Sequence, residues 1–506
     1  MTGHRPRARP PRASGALMQR PFAQTPNRYA PVKVISDDQV AAIHHAALRV
    51  LAEVGMRILH PAARDLYARS GALVSGDMVR FDPGLVMDLL KTVPLTFTLE
   101  ARNHLKSLKV GGEYCVYAGV GGPAYVMDND GGRRDGTFAE MQNYLRLIQS
   151  LNVLHQEGGG PFEPLDMPAS TRHLDIYQAQ ITLLDKSWQT QTLGHARSMD
   201  GINMAAIALG TTPEGLKTRP CLLGIINTNS PLQLDIPMAE GLIALASHGQ
   251  VLAITPFTLA GAMAPITIAG ALVQQHAEAM AGIILTQIVR PGVPVMYGGF
   301  TSNVDMRSGA PAFGTPEYTK AAQASGQLAR YIGVPFRSSN VTAANAVDAQ
   351  AAYESQMAIW GAMLGGAHLL NHAAGWMHGG LTASFEKLIL DAEMLQMIDA
   401  WLEPLDISDA ALALDAIRDV GPGGHFFGAA HTMERYETAF YTPLLTNWDN
   451  HPQWLERGSV DASTRANQIW KQLLTDHQDP PLDPAIAEAL ADFVARRKSQ
   501  GGAPMN

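Results

Sequence analysis

Three short stretches of this sequence concentrate the side chains that can bind or react. Tyr297 to Asp305, YGGFTSNVD, puts an aromatic ring, two glycines, hydroxyls, an amide and a carboxylate in one run. Gly298 and Gly299 permit a tight turn that Asp305 merely caps; the same residues would equally form the wall of a pocket. Asn371 to Gly380, NHAAGWMHGG, groups His372, Trp376 and His378, a broad aromatic face with imidazoles that serves either a binding mouth or ordinary packing. Glu354, after AQAAY in a helical stretch, is placed for acid–base work or for satisfying a helix face. Glu386 and Asp391 read as helix-surface charges rather than as an acid–base pair.

Other chemistries are less well supported. His372 and His378, like His425 and His431, are six residues apart, and neither pair brings the cysteine or histidine framework of a zinc site. No metal is expected in this chain. No Walker sequence or GxGxxG fingerprint occurs, so nucleotide chemistry is not encoded locally. A formal net charge of −8 gives no overall attraction to nucleic acid or to an anionic membrane. Cys115 and Cys221 are the only cysteines, too few for a disulfide framework, which points to a reducing, cytoplasmic setting.

The elements that must position these residues repeat. Between residues 150 and 400 a short apolar run closing on polar or Gly-rich residues, then a helical segment, recurs about seven times, at VLHQEGGG from Val153, SWQTQTLGH from Ser187, CLLGIINTNS from Cys221, VLAITPFTLAG from Val251, PVMYGGFTSNVD from Pro294, PFRSSNV from Pro335 and HLLNHAAGW from His368. Strands alternating with helices imply parallel pairing. Eight such units close into an α/β (β/α)8 TIM barrel whose active site lies at the C-terminal ends of the strands. The polar tails of the runs are therefore the candidate rim, with GPGGHFFG at Gly421 expected as the eighth strand or its loop.

The expected layout is a disordered tail over 1–30, an N-terminal α+β region over 31–150, the barrel over 151–430 and a helical extension over 431–506. The tail carries Arg5, Arg7, Arg9, Arg12 and Arg20 among prolines with no apolar core, unlike a secretory signal. From Gly241 to Ala277 no charged residue occurs, which superficially suggests a membrane span. Pro256 and Pro265 interrupt it, so a buried strand at Val251 to Thr255 and a helix beginning near Pro265 are expected instead.

The chain resembles the trimethylamine methyltransferase family, the cobamide-dependent amine methyltransferases, from about residue 35 to the C terminus. The likeness rests on YGGFTSNVDMRSGAPAFGTPE from Tyr297, DAQAAYES from Asp348, GGAHLLNHAAGWMHGGLTASFEKLILDAEMLQ from Gly365 and GPGGHFFGAAHT from Gly421. The resemblance implies an α/β barrel, a methylamine-type donor and a separate corrinoid protein as acceptor, so that cobalamin or a related corrinoid comes from a partner; a homo-oligomer is expected. The founding trimethylamine enzymes carry pyrrolysine near the motif corresponding to Ser339 through Thr342, where this chain has Asn340 and Val341. In this it is similar to the branch that includes enzymes demethylating glycine betaine.

A quaternary ammonium suits a site without pyrrolysine, because its demethylation releases a neutral tertiary amine and needs no proton donor. Aromatic faces would hold the cation, with Tyr297, Phe300 and Trp376, and also Tyr117, as the expected ring wall. For a donor bearing a carboxylate, His372, Asn340 or Arg337 would orient it, although the Arg337 cation must stay clear of the ammonium. Asn340, His372 and Glu354 are the expected catalytic residues. Trimethylamine or another methylamine as donor, and a betaine-binding protein without turnover, are the alternatives.

Overall fold

In a computed structural model, residues 17–504 of the chain are described. Eight parallel strands close into a barrel, each followed by a helix on the outside. The strands are Val116–Gly119, a single bridging residue at Gln156, Trp188–Thr190, Leu222–Ile226, Val251–Ile254, Val295–Gly298, Phe336–Ser339 and Leu369–Ala374. Gln156 bridges Ala118 on one side and Ser187 on the other. The eighth strand returns to the first, Leu369 opposite Val116 and Leu370 opposite Tyr117, which closes the ring.

All seven anticipated units supply barrel strands, but the missing one precedes them rather than following them. Val116–Gly119 lies within the span assigned to the N-terminal region, the last barrel helix is Phe385–Leu402, and Gly421 to Gly428 contains no strand. The first strand is buried at all four positions, so it shows no alternation to mark its role.

The barrel interior is filled at the strand starts by Val116, Ala118, Leu223, Val251, Ala253, Met296 and Leu369. A hairpin of Phe97–Leu99 with Leu108–Val110 adds Leu99, Leu108 and Val110 to the same cluster and forms the floor. This apolar plug leaves only the opposite end, the strand C-termini, for polar chemistry.

Around the barrel, the first helix is Asp37–Arg49, begun by Ser36 and Gln39 in a reciprocal capping box. The uncharged stretch resolves into a buried strand at Val251–Ile254, a second strand at Phe257–Ala260 and the helix Ile268–Val289, capped by Thr267. Among the described residues this helix is the one long and apolar enough to cross a membrane, but 78% of its apolar window is buried inside the fold. Residues 17–30 are tied down: Gln19 donates to the Ser150 carbonyl at 3.0 Å and Gln24 to that of Lys109 at 3.0 Å. That part of the expected disordered tail is instead a strap across the barrel base; the arginines from Arg5 to Arg12 lie outside the described residues. At the other end, Pro484–Ser499 docks through Leu490, Phe493 and Val494, and Arg497 pairs with Asp200 at 2.6 Å.

Candidate active site

Strand parity decides which rim residues face inward. In Val295–Gly298, Met296 joins the interior cluster, so Tyr297 must point outward to the helices. Its hydroxyl accepts from Gln275 Nε2 at 3.0 Å and lies 3.2 Å from His276 Nδ1 on the helix Ile268–Val289. The same parity sends Tyr117 outward, between inward Val116 and Ala118, where its hydroxyl donates to Asp399 at 3.2 Å. Both tyrosines expected in the ring wall therefore belong to the layer between barrel and helices.

Phe300, two residues beyond the end of its barrel strand, and Trp376, beyond the eighth strand, do converge. Their rings are 6.2 Å apart at 70°, and each also meets Phe313, at 5.9 and 6.1 Å. Phe257 lies behind, tilted at 5.1 Å from Phe300, and Tyr318 meets Phe300 edge-on at 6.3 Å. These rings sit where extensions of the strands, Phe257–Ala260 and Phe300–Val304, pair beside one another and Pro311–Ala312 adds a third strand over the barrel mouth. Gly380, at φ +97°, lets the Trp376 indole lie against its backbone: a Cβ there would come within 2.4 Å of the ring.

His372 completes this wall, its ring 4.5 Å from that of Trp376. The pairing of the eighth strand slips between Leu370 and Ala374, and His372 takes φ +52° within that irregularity. A histidine in the left-handed region is strained backbone of the kind held only by its surroundings. Here Gly121 N–H donates to Nδ1 at 3.3 Å and Asn371 Nδ2 lies 3.3 Å from Nε2. Burial, and then the charge of Arg337, hold the imidazole well below its ordinary pKa, so it is neutral at neutral pH.

Arg337 is the electrostatic centre of the mouth. Its guanidinium is over the Phe300 ring at 5.4 Å, the residue is 2% exposed, and Nε and Nη1 have no hydrogen-bond partner. Among the described residues no carboxylate pairs with it within 4.0 Å. Burial lowers its pKa to about 10, which leaves it cationic at neutral pH. An uncompensated buried cation is costly, and its unpartnered N–H donors on two edges of the guanidinium are of the kind a carboxylate satisfies.

Below lie amides that the sequence reading did not single out. Gln189 Nε2 donates to Gln156 Oε1 at 3.1 Å and to Asn371 Oδ1 at 2.8 Å, while Gln156 Nε2, Gln189 Oε1, Ser339 Oγ and Asn340 Oδ1 are buried without partners. Asn340 donates through Nδ2 to the Ala373 carbonyl at 2.9 Å and meets Asp391 on the helix Phe385–Leu402, which turns it toward the layer between barrel and helices rather than into the mouth. Phe257, Phe313 and Gln189 were also missed, yet each falls within or just after a quoted strand-end run or family motif; position, more than residue type, was the available signal.

Glu354 does not join the pocket. One oxygen accepts from Thr342 Oγ1 at 2.5 Å and from the Ala343 and Ala344 N–H groups at 2.9 and 3.1 Å, and the other from Gln350 at 2.8 Å. With four donors already on it, the carboxylate clamps the loop after the seventh strand rather than facing a reactant. Glu386 and Asp391, read as surface charges, are fully buried: Glu386 accepts from Asn467 and from the Trp470 indole, both at 2.9 Å, and Asp391 pairs with Lys387. Glu157, likewise buried, accepts from Gly159 and Gly160 N–H at 2.8 and 2.7 Å and from Gln180 at 2.5 Å. Burial pushes its pKa up to about 7.

Comparison with known proteins agrees with this architecture along the whole chain. The family model described as trimethylamine methyltransferase (MTTB) matches residues 2–502. A glycine betaine methyltransferase of Desulfitobacterium hafniense is 35% identical over 93% of this chain and 98% of its own. A proline betaine:corrinoid methyltransferase of Eubacterium limosum is 27% identical, covering 91% and 97%, and the trimethylamine methyltransferase MttB of Methanosarcina barkeri is 25% identical, covering 92% and 94%. A barrel of this topology, matched over nearly its full length by that model, belongs to the trimethylamine methyltransferase family.

Proposed function

We propose that this chain moves a methyl group from a small quaternary amine bearing a carboxylate, glycine betaine or a close relative, to the corrinoid of a separate corrinoid protein. The observation that carries the reading is Arg337, a buried cation with unpartnered N–H donors beside an aromatic wall of Phe300, Phe313 and Trp376. A zwitterion satisfies both halves: its carboxylate neutralises the guanidinium and its ammonium lies against the rings. Trimethylamine satisfies only one, and would leave Arg337 uncompensated.

In this reading the Co(I) corrinoid supplies the nucleophile, the C–N bond breaks as the methyl–cobalt bond forms, and the nitrogen keeps the bonding pair. The leaving group is a neutral tertiary amine, so the site requires no acid. A neutral His372 fits that requirement, since it adds no second cation beside the ammonium. The residues of this chain bind and orient: Arg337 anchors the carboxylate, Trp376 and Phe300 hold the trimethylammonium, and His372 restricts its rotation so that one methyl faces the open mouth. The loops over the strand ends limit competing water. A reducing, cytoplasmic setting is in keeping with the free, buried Cys115 and Cys221.

The test is to incubate the protein with Co(I) cobalamin, alone and with a separately purified corrinoid protein, and to follow methylcobalamin formation from glycine betaine, proline betaine, carnitine, choline and trimethylamine. Turnover with carboxylate-bearing quaternary donors is expected. Product from trimethylamine alone would reverse the assignment, and betaine binding without product from any donor would leave a binding protein.

A further inference from the structure

The last barrel helix, Phe385–Leu402, is followed by a segment that does not pack as the rest of the chain does. No residue from Glu403 to Pro443 is buried. Its short helices Asp409–Leu412, Leu414–Val420 and Ala430–Arg435 have no buried residue, and an open hollow of about 890 Å³ lies among them. Leu405 and Phe427 are 86% exposed, Phe440 82% and Ile407 73%. The segment is nevertheless tethered at both ends. Arg20 pairs with Glu403, and Glu393 accepts from Leu444 and Leu445 N–H at 2.7 and 3.0 Å and from Thr446 at 2.8 Å.

We propose that this arm, residues 403–443, is the contact by which the chain associates with a second copy of itself. Helices this short are marginal alone and need a packed face, which the parent barrel does not provide. Summed over the arm, the exposed apolar side chains amount to roughly 1,000 Å², of the order of the ~800 Å² per partner of a stable interface. A permanent partner suits such a surface, because obligate interfaces are the more apolar ones, whereas partners that come and go meet ordinary polar surface. The root of the arm also lies away from the chemistry. The helix Phe385–Leu402 starts at the barrel mouth with its cap at Ser384 and runs 18 residues, so its end is roughly 27 Å from the mouth at 1.5 Å per residue.

Sedimentation of the full chain across the micromolar range tests this, together with the double variant Phe427→Glu, Phe440→Glu. The expected result is twice the chain mass for the wild type and a monomer for a variant whose far-ultraviolet melt still shows a folded barrel, with dimer association weakened at least about 100-fold. Hydrogen exchange on the wild type gives an independent reading should the variant fail to fold: protection of 403–443 must fall on dilution through the dissociation range while that of the barrel strands stays. A wild-type monomer at all concentrations overturns the inference, as does a folded variant that remains dimeric. Protection of the arm that is independent of concentration, or that arises only when a corrinoid protein is added, also overturns it and in the latter case gives the surface to that protein.

Discussion

Replacing Arg337 by glutamine separates recognition of the carboxylate from recognition of the ammonium. The guanidinium is 2% exposed and offers Nε and Nη1 without partners, so a bound carboxylate would gain hydrogen bonds to a charged group, worth about 1.5–3 kcal/mol in net terms. Two such bonds from one guanidinium are not additive, and glutamine keeps one neutral donor at the reach of Nε. The expected loss is therefore about 1.5–3 kcal/mol, or about 10- to 150-fold in the dissociation constant for glycine betaine. Choline, which has no carboxylate, should bind no worse, since the substitution removes a cation facing its own charge. The unliganded variant should melt no lower than the wild type, because an uncompensated buried charge has been removed. Calorimetric titration with both ligands and thermal unfolding on the same preparations provide the three numbers. Equal weakening of betaine and choline, or unchanged betaine affinity, would refute the assignment of Arg337 as the carboxylate anchor.

Trp376→Ala should weaken quaternary donors by about 0.5–2 kcal/mol, roughly 2- to 30-fold, with Trp376→Phe losing less; unchanged affinity with a stability loss of about 3–5 kcal/mol would assign the indole to the core. Tyr297→Phe should lower stability by about 1 kcal/mol through the contacts with Gln275 and His276 while leaving KM for the donor unchanged, and a raised KM would return Tyr297 to the pocket. Burial raises the Asp399 pKa to about 7, so the native state holds this proton more tightly than the unfolded chain: its contribution is fully present below pH ~4 and is lost as pH rises through about 7. Asp399→Asn should accordingly match the wild type near pH 4 and melt increasingly above it toward pH 8, and parallel melting curves across that range would contradict the sign. Glu354→Gln should raise KM and lower thermal stability together, because it loosens the loop at Thr342 to Ala344; a fall in kcat alone would make Glu354 a reacting group.

Much of this protein was legible in the sequence because the relevant signals are local. A strand run, the helix after it and the cap between them span a few turns of chain, so the seven repeated units and the strand and helix within the uncharged stretch could be read directly. Motif likeness then implied the family, and the strand-end position of Phe300, Arg337, His372 and Trp376 pointed to the mouth. Closure of the barrel was decided only in three dimensions. Its first strand, Val116–Gly119, is uniformly buried and its second is one bridging residue, so neither carries a periodic signature. Parity relative to the barrel axis, a property of closed pairing rather than of composition, turned Tyr117 and Tyr297 outward and left Phe300 over the mouth. The slip that places His372 at φ +52° and the absence of a carboxylate near Arg337 depend on segments distant in the sequence, as do the burial of Glu386 and Asp391 and the exposure of 403–443. Side-chain type sets what a residue can do; whether another group meets it is settled by packing across the whole fold.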